Sequence, residues 1–168
     1  LALDTGCVLL CPPQVDDRLS AIPTYAAIRD RIRIVDAPAD SVTTFNRKEI
    51  AVKVLSSKHG SYFEADSTGK TVDLHKDVQH LEFLFTMAGR TFLHIGDAPL
   101  QDMEKYQLLA LGKDSIDIAF VKRWGCYNPM SFGEKLVRER MLPRRVFFDH
   151  LAPKEMAFLA THADCDSY

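Results

Sequence analysis

A chain of 168 residues, 46% apolar and 26% charged, is expected to fold as a single globular domain (1–168) with an ordinary buried core. Its net charge of −2 with interspersed signs leaves no basic face, which argues against nucleic acid as a partner. No apolar run approaches the roughly 20 residues of a membrane-spanning helix, so no membrane partner is expected either.

Taken in chain order, Cys7 to Cys11 reads as a buried strand stopped by Pro12 and Pro13, with both thiols on one face. Residues 14–22 and 24–32 show helical spacing, Val15, Leu19 and Ile22 sharing one side, with Pro23 between them. A short strand over 31–35 follows, then strands over 41–45 and 49–55 in a hairpin or meander. Residues 59–79 are polar and poorly periodic, the pattern of a long functional or mobile loop. Strands over 81–86 and 91–95 flank Met87-Ala88-Gly89-Arg90, a hairpin signal.

Beyond it, the sequence alternates. A helix is predicted over 99–111, with Met103, Tyr106, Gln107 and Ala110 along one side. An uninterrupted apolar strand follows over 116–121, then a helix over 132–141, a strand over 145–148 and a last helix over 153–162. Adjacent strands first and β–α alternation later predict an α/β (α+β) fold with a mixed sheet flanked by helices.

The chemistry-bearing residues fall at strand ends. His59 follows the strand that ends in Ser57-Lys58, Asp97 follows Leu93-His94-Ile95-Gly96, and His150 follows Phe147-Phe148-Asp149. Ligand types at neighbouring strand ends can converge on one point, held there by stiff backbone. Asp97 has a plainer reading as the cap of the helix near Pro99 and His150 as a hydrogen-bonded core residue, and His59, before a Gly at a strand end, is equally ambiguous by itself. His94, one residue out of phase with Ile95, reads as structural. His75 and His80, five apart, share neither a helix face nor a strand face. No two of the six histidines are two residues apart. The cysteines, Cys7, Cys11, Cys126 and Cys165, are too scattered for a disulfide framework or a zinc knuckle, and a cytoplasmic location is favoured.

In order and context these motifs resemble the metallo-β-lactamase superfamily of metal-dependent hydrolases, in particular its lactonase-like branch. The carriers are Ser57-Lys58-His59-Gly60 before the long loop and Gly89 to Asp97 as a hairpin running into Gly-Asp. Asp117-Ile118-Ala119-Phe120 in an apolar strand and Phe147-Phe148-Asp149-His150-Leu151 at a terminal strand complete the set. The resemblance covers essentially the whole chain but only the later part of that family's αβ/βα sandwich. It implies two divalent cations, zinc in most members, with His59 in the first metal site, Asp97 bridging both and acting in catalysis, and His150 in the second. Lys76, Arg123 and Trp124 become candidates for holding a small-molecule substrate, although surface charges and a packed Trp account for them equally well.

The family's His-x-His-x-Asp-His motif does not occur in this sequence. Leu1 in place of Met, and 1–6 reading as the end of a helix, lead to the expectation that an N-terminal part of the fold is missing. Two functional readings follow: a metal-dependent hydrolase that is inactive as this fragment, or a non-catalytic interaction module retaining part of the fold. A haloacid-dehalogenase-like phosphatase would need an early Asp-x-Asp, which is absent. Either reading leaves one sheet face apolar, so a homo-oligomer is expected; a monomer in sedimentation at micromolar concentration overturns that expectation.

Overall fold

The structure is a computed structural model that describes residues 7–100, 104–109, 116–122 and 133–150. Its centre is a six-stranded mixed sheet built from β3 (Ser41–Arg47), β4 (Ile50–Lys58), β7 (Gln79–Met87), β8 (Arg90–His94), β9 (Ile118–Lys122) and β10 (Arg145–Asp149), in the order β10-β9-β8-β7-β4-β3. The β3–β4, β4–β7 and β7–β8 pairs are antiparallel, whereas β8–β9 and β9–β10 are parallel. The α+β class and mixed sheet expected from the sequence are what the chain adopts. β1 (Leu9–Cys11) pairs in parallel with β2 (Ile32–Ile34) as a separate two-stranded sheet. The described helices are α1 (Pro13–Ser20) and α2 (Gly133–Leu136), the latter continuing into a π turn over Val137–Met141. No helix among the described residues is long and apolar enough to cross a membrane.

Local chemistry explains most boundaries. In the β7–β8 hairpin Met87 pairs with Arg90, and Ala88 (φ 50°) and Gly89 (φ 72°) both take positive φ, the conformation that a two-residue turn matching strand twist requires. Along β4, Val54 and Leu55 are both fully buried yet belong to different clusters. Alternation sends Leu55 to a core with Leu84, Leu93, Ala119 and Val121, and Val54 to one with Val35 and Leu81 under β1–β2. On the Val54 side the sheet also carries Phe85 stacked on Phe92 (centroids 5.0 Å) and Phe120 beside Phe147 (5.8 Å), the last of these 48% exposed.

Several expectations are corrected. Residues 24–32 form two 3-10 turns, Tyr25–Ala27 and Arg29–Arg31, rather than a helix. Pro23 precedes the stretch, and of residues 24–30 only Tyr25 and Ile28 are even partly buried, which leaves propensity too weak to sustain a helix. α1 buries no residue fully: Leu19 is half-buried, whereas Val15 and Ile22 are exposed. Cys11 is buried but Cys7 is exposed, because β1 begins only at Leu9. The 59–79 segment holds a hairpin, β5 (Phe63–Ala65) with β6 (Thr71–Asp73), turned by the Asp66 carboxylate, which accepts from the Thr68 and Lys70 N–H groups. Of the helix predicted over 99–111, Pro99 and Leu100 are not helical and Glu104–Leu109 is a 3-10 turn, in which Tyr106 is buried as expected but Gln107 is exposed. Met103 and Ala110, and the helix predicted over 153–162, lie outside the described residues.

Asp117 fastens the start of β9. Its carboxylate accepts from the Thr91 N–H (3.0 Å) and from Arg90 Nη1 (2.9 Å), and Arg144 lies 3.5 Å away. The Thr91 hydrogen bond, followed by that of Arg90, holds its pKa below the ordinary aspartate value. A depressed carboxylate pKa adds stability above the unfolded value, and that contribution is lost as pH falls through the folded one. Asp117→Asn is therefore expected to lower the urea midpoint at pH 7 and to be without effect well below pH 3.8. An equal loss at both pH values would rule out this linkage.

Candidate functional site

Sheet direction explains why strand ends meet. β4 and β8 are both antiparallel to β7, so they run the same way, and β9 and β10 run parallel to β8. The carboxyl ends of β4, β8, β9 and β10 thus share one edge of the sheet, together with the start of β7. His59, Asp97 and His150 follow three of these ends, and Lys122 closes the fourth.

Asp97 is where the side chains converge. Its Oδ2 lies 3.7 Å from His59 Nε2 and 3.3 Å from His150 Nε2; the Asp97 and His59 side chains are 25% and 21% exposed and that of His150 55%. The two loops are also joined through backbone, the Gly60 N–H donating to the Asp97 carbonyl at 2.9 Å. A Cβ on Gly60 would stand 2.8 Å from that carbonyl oxygen, so only glycine permits this approach. His59 Nδ1 lies 2.8 Å from the Gly60 carbonyl, which can only accept, so Nδ1 carries the proton. In the neutral ring Nε2 then presents its lone pair toward Asp97, the tautomer suited to a metal ligand. His150 sits at φ 57°, in the left-handed region that few residues other than glycine adopt, and this turn follows directly on β10.

Further histidines surround this group. The His75 ring packs edge-on to His59 with centroids 4.2 Å apart, and His80 does so at 5.5 Å. His80 Nε2 donates to the Ile95 carbonyl at 2.8 Å, and burial, its largest influence, pushes its pKa below the ordinary histidine value. His94 Nε2 faces Asp149 Oδ2 at 3.5 Å, and Asp149 Oδ1 is buried without a hydrogen-bond partner among the described residues. Beneath lie Glu82 and Lys105, bonded at 2.6 Å with side chains 0% and 2% exposed, and Lys122, whose pKa burial lowers to about 8.

The sequence singled out three of these side chains and passed over the rest. His75 and His80 reach His59 through the β5–β6 hairpin and through the β4–β7 register, in which Ser57 pairs with His80. Spacing along the chain carries no trace of that. Lys122 left a signal, a charged residue ending an otherwise apolar strand. Lys76 is exposed and its ammonium lies 3.8 Å from Asp77. Arg123 and Trp124 lie outside the described residues. A groove of about 680 Å³ bordered by Leu10, Arg33, Phe45, Ile50 and Val52 occurs against the β3–β4 hairpin, and none of the predicted site residues lines it.

With Zn–N and Zn–O bonds of about 2.0 Å, the edge of a zinc tetrahedron is about 3.3 Å. The His150–Asp97 separation matches such an edge and the His59–Asp97 separation comes near it. Two edges meeting at Asp97 do not close a coordination shell. Among the described residues no group of three or more His, Cys, Asp and Glu side chains is disposed to hold a metal ion. A complete resident zinc site therefore does not fit these residues.

The fold and its site define an α+β protein with a histidine- and carboxylate-rich cluster at one edge of a mixed sheet. No protein-family model matches the chain. No curated protein matches it either. Among solved structures it is similar to the 1.98 Å crystal structure of Zn(2+)-bound PqqB from Methylobacterium extorquens, at 11% identity and a TM-score of 0.41. That match covers 71% of this chain and 40% of the other, so the chain spans less than half of that protein's length.

Proposed function

We propose that this chain is the later part of a metal-dependent hydrolase of the metallo-β-lactamase superfamily, cleaving an ester, lactone or phosphodiester in the whole protein. The observation that carries the reading is the placement of both His59 Nε2 and His150 Nε2 on one oxygen of Asp97. Its further support is the order of motifs in the sequence. A metal held there in the whole protein would supply activation of water. The contribution of these residues is to present one carboxylate between two imidazoles, with His59 fixed in the ligand tautomer by the Gly60 carbonyl. Since the His-x-His-x-Asp-His motif is absent, the 168 residues by themselves are expected to bind zinc weakly and to show no appreciable hydrolysis. The homo-oligomer expected from the sequence would have the half-exposed phenylalanine face of the sheet to cover.

The second reading, a non-catalytic interaction module, draws its support from the unclosed shell. Zinc titration by calorimetry, comparing the chain with Asp97→Ala, separates the two. The hydrolase reading expects a weak isotherm that the substitution weakens by at least about tenfold, roughly 1.4 kcal/mol. Identical isotherms for the two proteins would leave the interaction module.

A further inference from the structure

We propose that Lys122 is the built-in counter-cation of the carboxylates at this edge of the sheet, its ammonium holding Asp97 in place between His59 and His150. The inference goes beyond metal binding and does not depend on it.

Four observations carry it. Lys122 ends β9, a strand otherwise made of Ile118, Ala119, Phe120 and Val121, and it is 1% exposed, among the largest fully buried side chains of the chain. An ammonium so buried persists only beside anions. Its position is fixed by Gly60: a Cβ there would lie 3.6 Å from Lys122 Nζ and 2.8 Å from the Asp97 carbonyl, so the ammonium stands at the junction that ties the His59 and Asp97 loops. The β9–β10 register sets Lys122 opposite Asp149, whose Oδ1 is a buried acceptor without a hydrogen-bond partner among the described residues. Glu82 offers a second such acceptor, Oε2, its Oε1 being taken by Lys105.

The charges around Lys122 agree. Asp97 is the strongest influence favouring its protonated form, followed by Glu82 and Asp149; Lys105 opposes them. Among the described residues the ion-pair partners of Asp97 are His59 and His150, at 3.7 and 3.3 Å. Lys122 is thus a positioning residue, acting through Asp97.

The test is thermal unfolding of the full chain in excess chelator, with Lys122→Met, Asp97→Asn and the double variant. Lys122→Met is expected to lower Tm by roughly 10 °C. Asp97→Asn should lower the Tm of the wild type, since it removes the anion that most favours the charged Lys122, but raise that of Lys122→Met. This reversal of sign is not produced by a lysine that merely fills space. Additive losses, or an Asp97→Asn variant more stable than the wild type, overturn the proposal. Should Lys122→Met fail to fold, the sign of Asp97→Asn in the wild type decides alone. The chelator keeps the result separate from the zinc titration, so either reading can fail without the other.

Discussion

Replacing Lys105 by methionine is expected to destabilise the chain by about 3–5 kcal/mol, the cost of leaving one partner of a buried ion pair without the other. Lys105 Nζ donates to Glu82 Oε1 at 2.6 Å, and Glu82 is fully buried. Lys122 influences that carboxylate electrostatically, but its hydrogen bond among the described residues comes from Lys105. Its second oxygen already lacks a hydrogen-bond partner among the described residues, and in the β4–β7 register Glu82 stands opposite Leu55 in the main core. Once the ammonium is gone, the carboxylate must take up a proton or draw water into a packed interior. The pair also docks the Glu104–Leu109 turn onto the sheet, just beyond the loop that carries Asp97. Loosening that turn therefore loosens the site. Urea denaturation at pH 7 measures the loss. Adding Glu82→Leu should recover most of it, because an apolar pair of similar volume removes the uncompensated charge. Losses that simply add would mean that the two side chains do not act as a pair.

The strand framework and the convergence point are legible in the sequence because they rest on local rules. β-branched and aromatic runs mark β4, β7, β9 and β10, and the Ala88-Gly89 turn fixes the β7–β8 register by its backbone requirement alone. From there His59, Asp97 and His150 sit at strand ends by counting, and sheet direction brings those ends together. What could not be read depends on neighbours distant in sequence. The spacing of Val15, Leu19 and Ile22 says which side of α1 is apolar, not how far it is covered, and in the structure Leu19 is half-buried while Val15 and Ile22 stay exposed. The 24–32 stretch has helical spacing but buries only Ile32, so it settles into 3-10 turns.

Histidine roles were hidden for a related reason. His80 lies on a strand whose partner residue, Ser57, is 23 positions earlier, and only that pairing brings its ring to His59. His75 depends in turn on the β5–β6 hairpin folding back within what reads as a polar loop. Buried charge is harder still to foresee. Glu82 and Lys105 look like surface residues in a mixed segment, and nothing local marks them as each other's partner.

Gly96→Ala is expected to cost about 2–4 kcal/mol and to displace Asp97. Two effects combine. Gly96 has φ 51°, where a side chain other than glycine's costs roughly 1–2 kcal/mol. A Cβ there would also stand 2.8 Å from His80 Cε1 and 3.1 Å from its Nε2. The ring cannot swing away freely, because Nε2 donates to the Ile95 carbonyl and the opposite side packs against His59. Overpacking of this kind costs typically 1–3 kcal/mol. Since Gly96 immediately precedes Asp97, the backbone shift that relieves the clash moves the carboxylate away from its two imidazoles. The two contributions separate experimentally. In a His80→Ala background the clash is gone while the dihedral strain remains, so Gly96→Ala should then cost only about 1–2 kcal/mol. Urea midpoints of the four proteins measure the difference, and an unchanged penalty in the His80→Ala background would show that the histidine ring does not confine this turn.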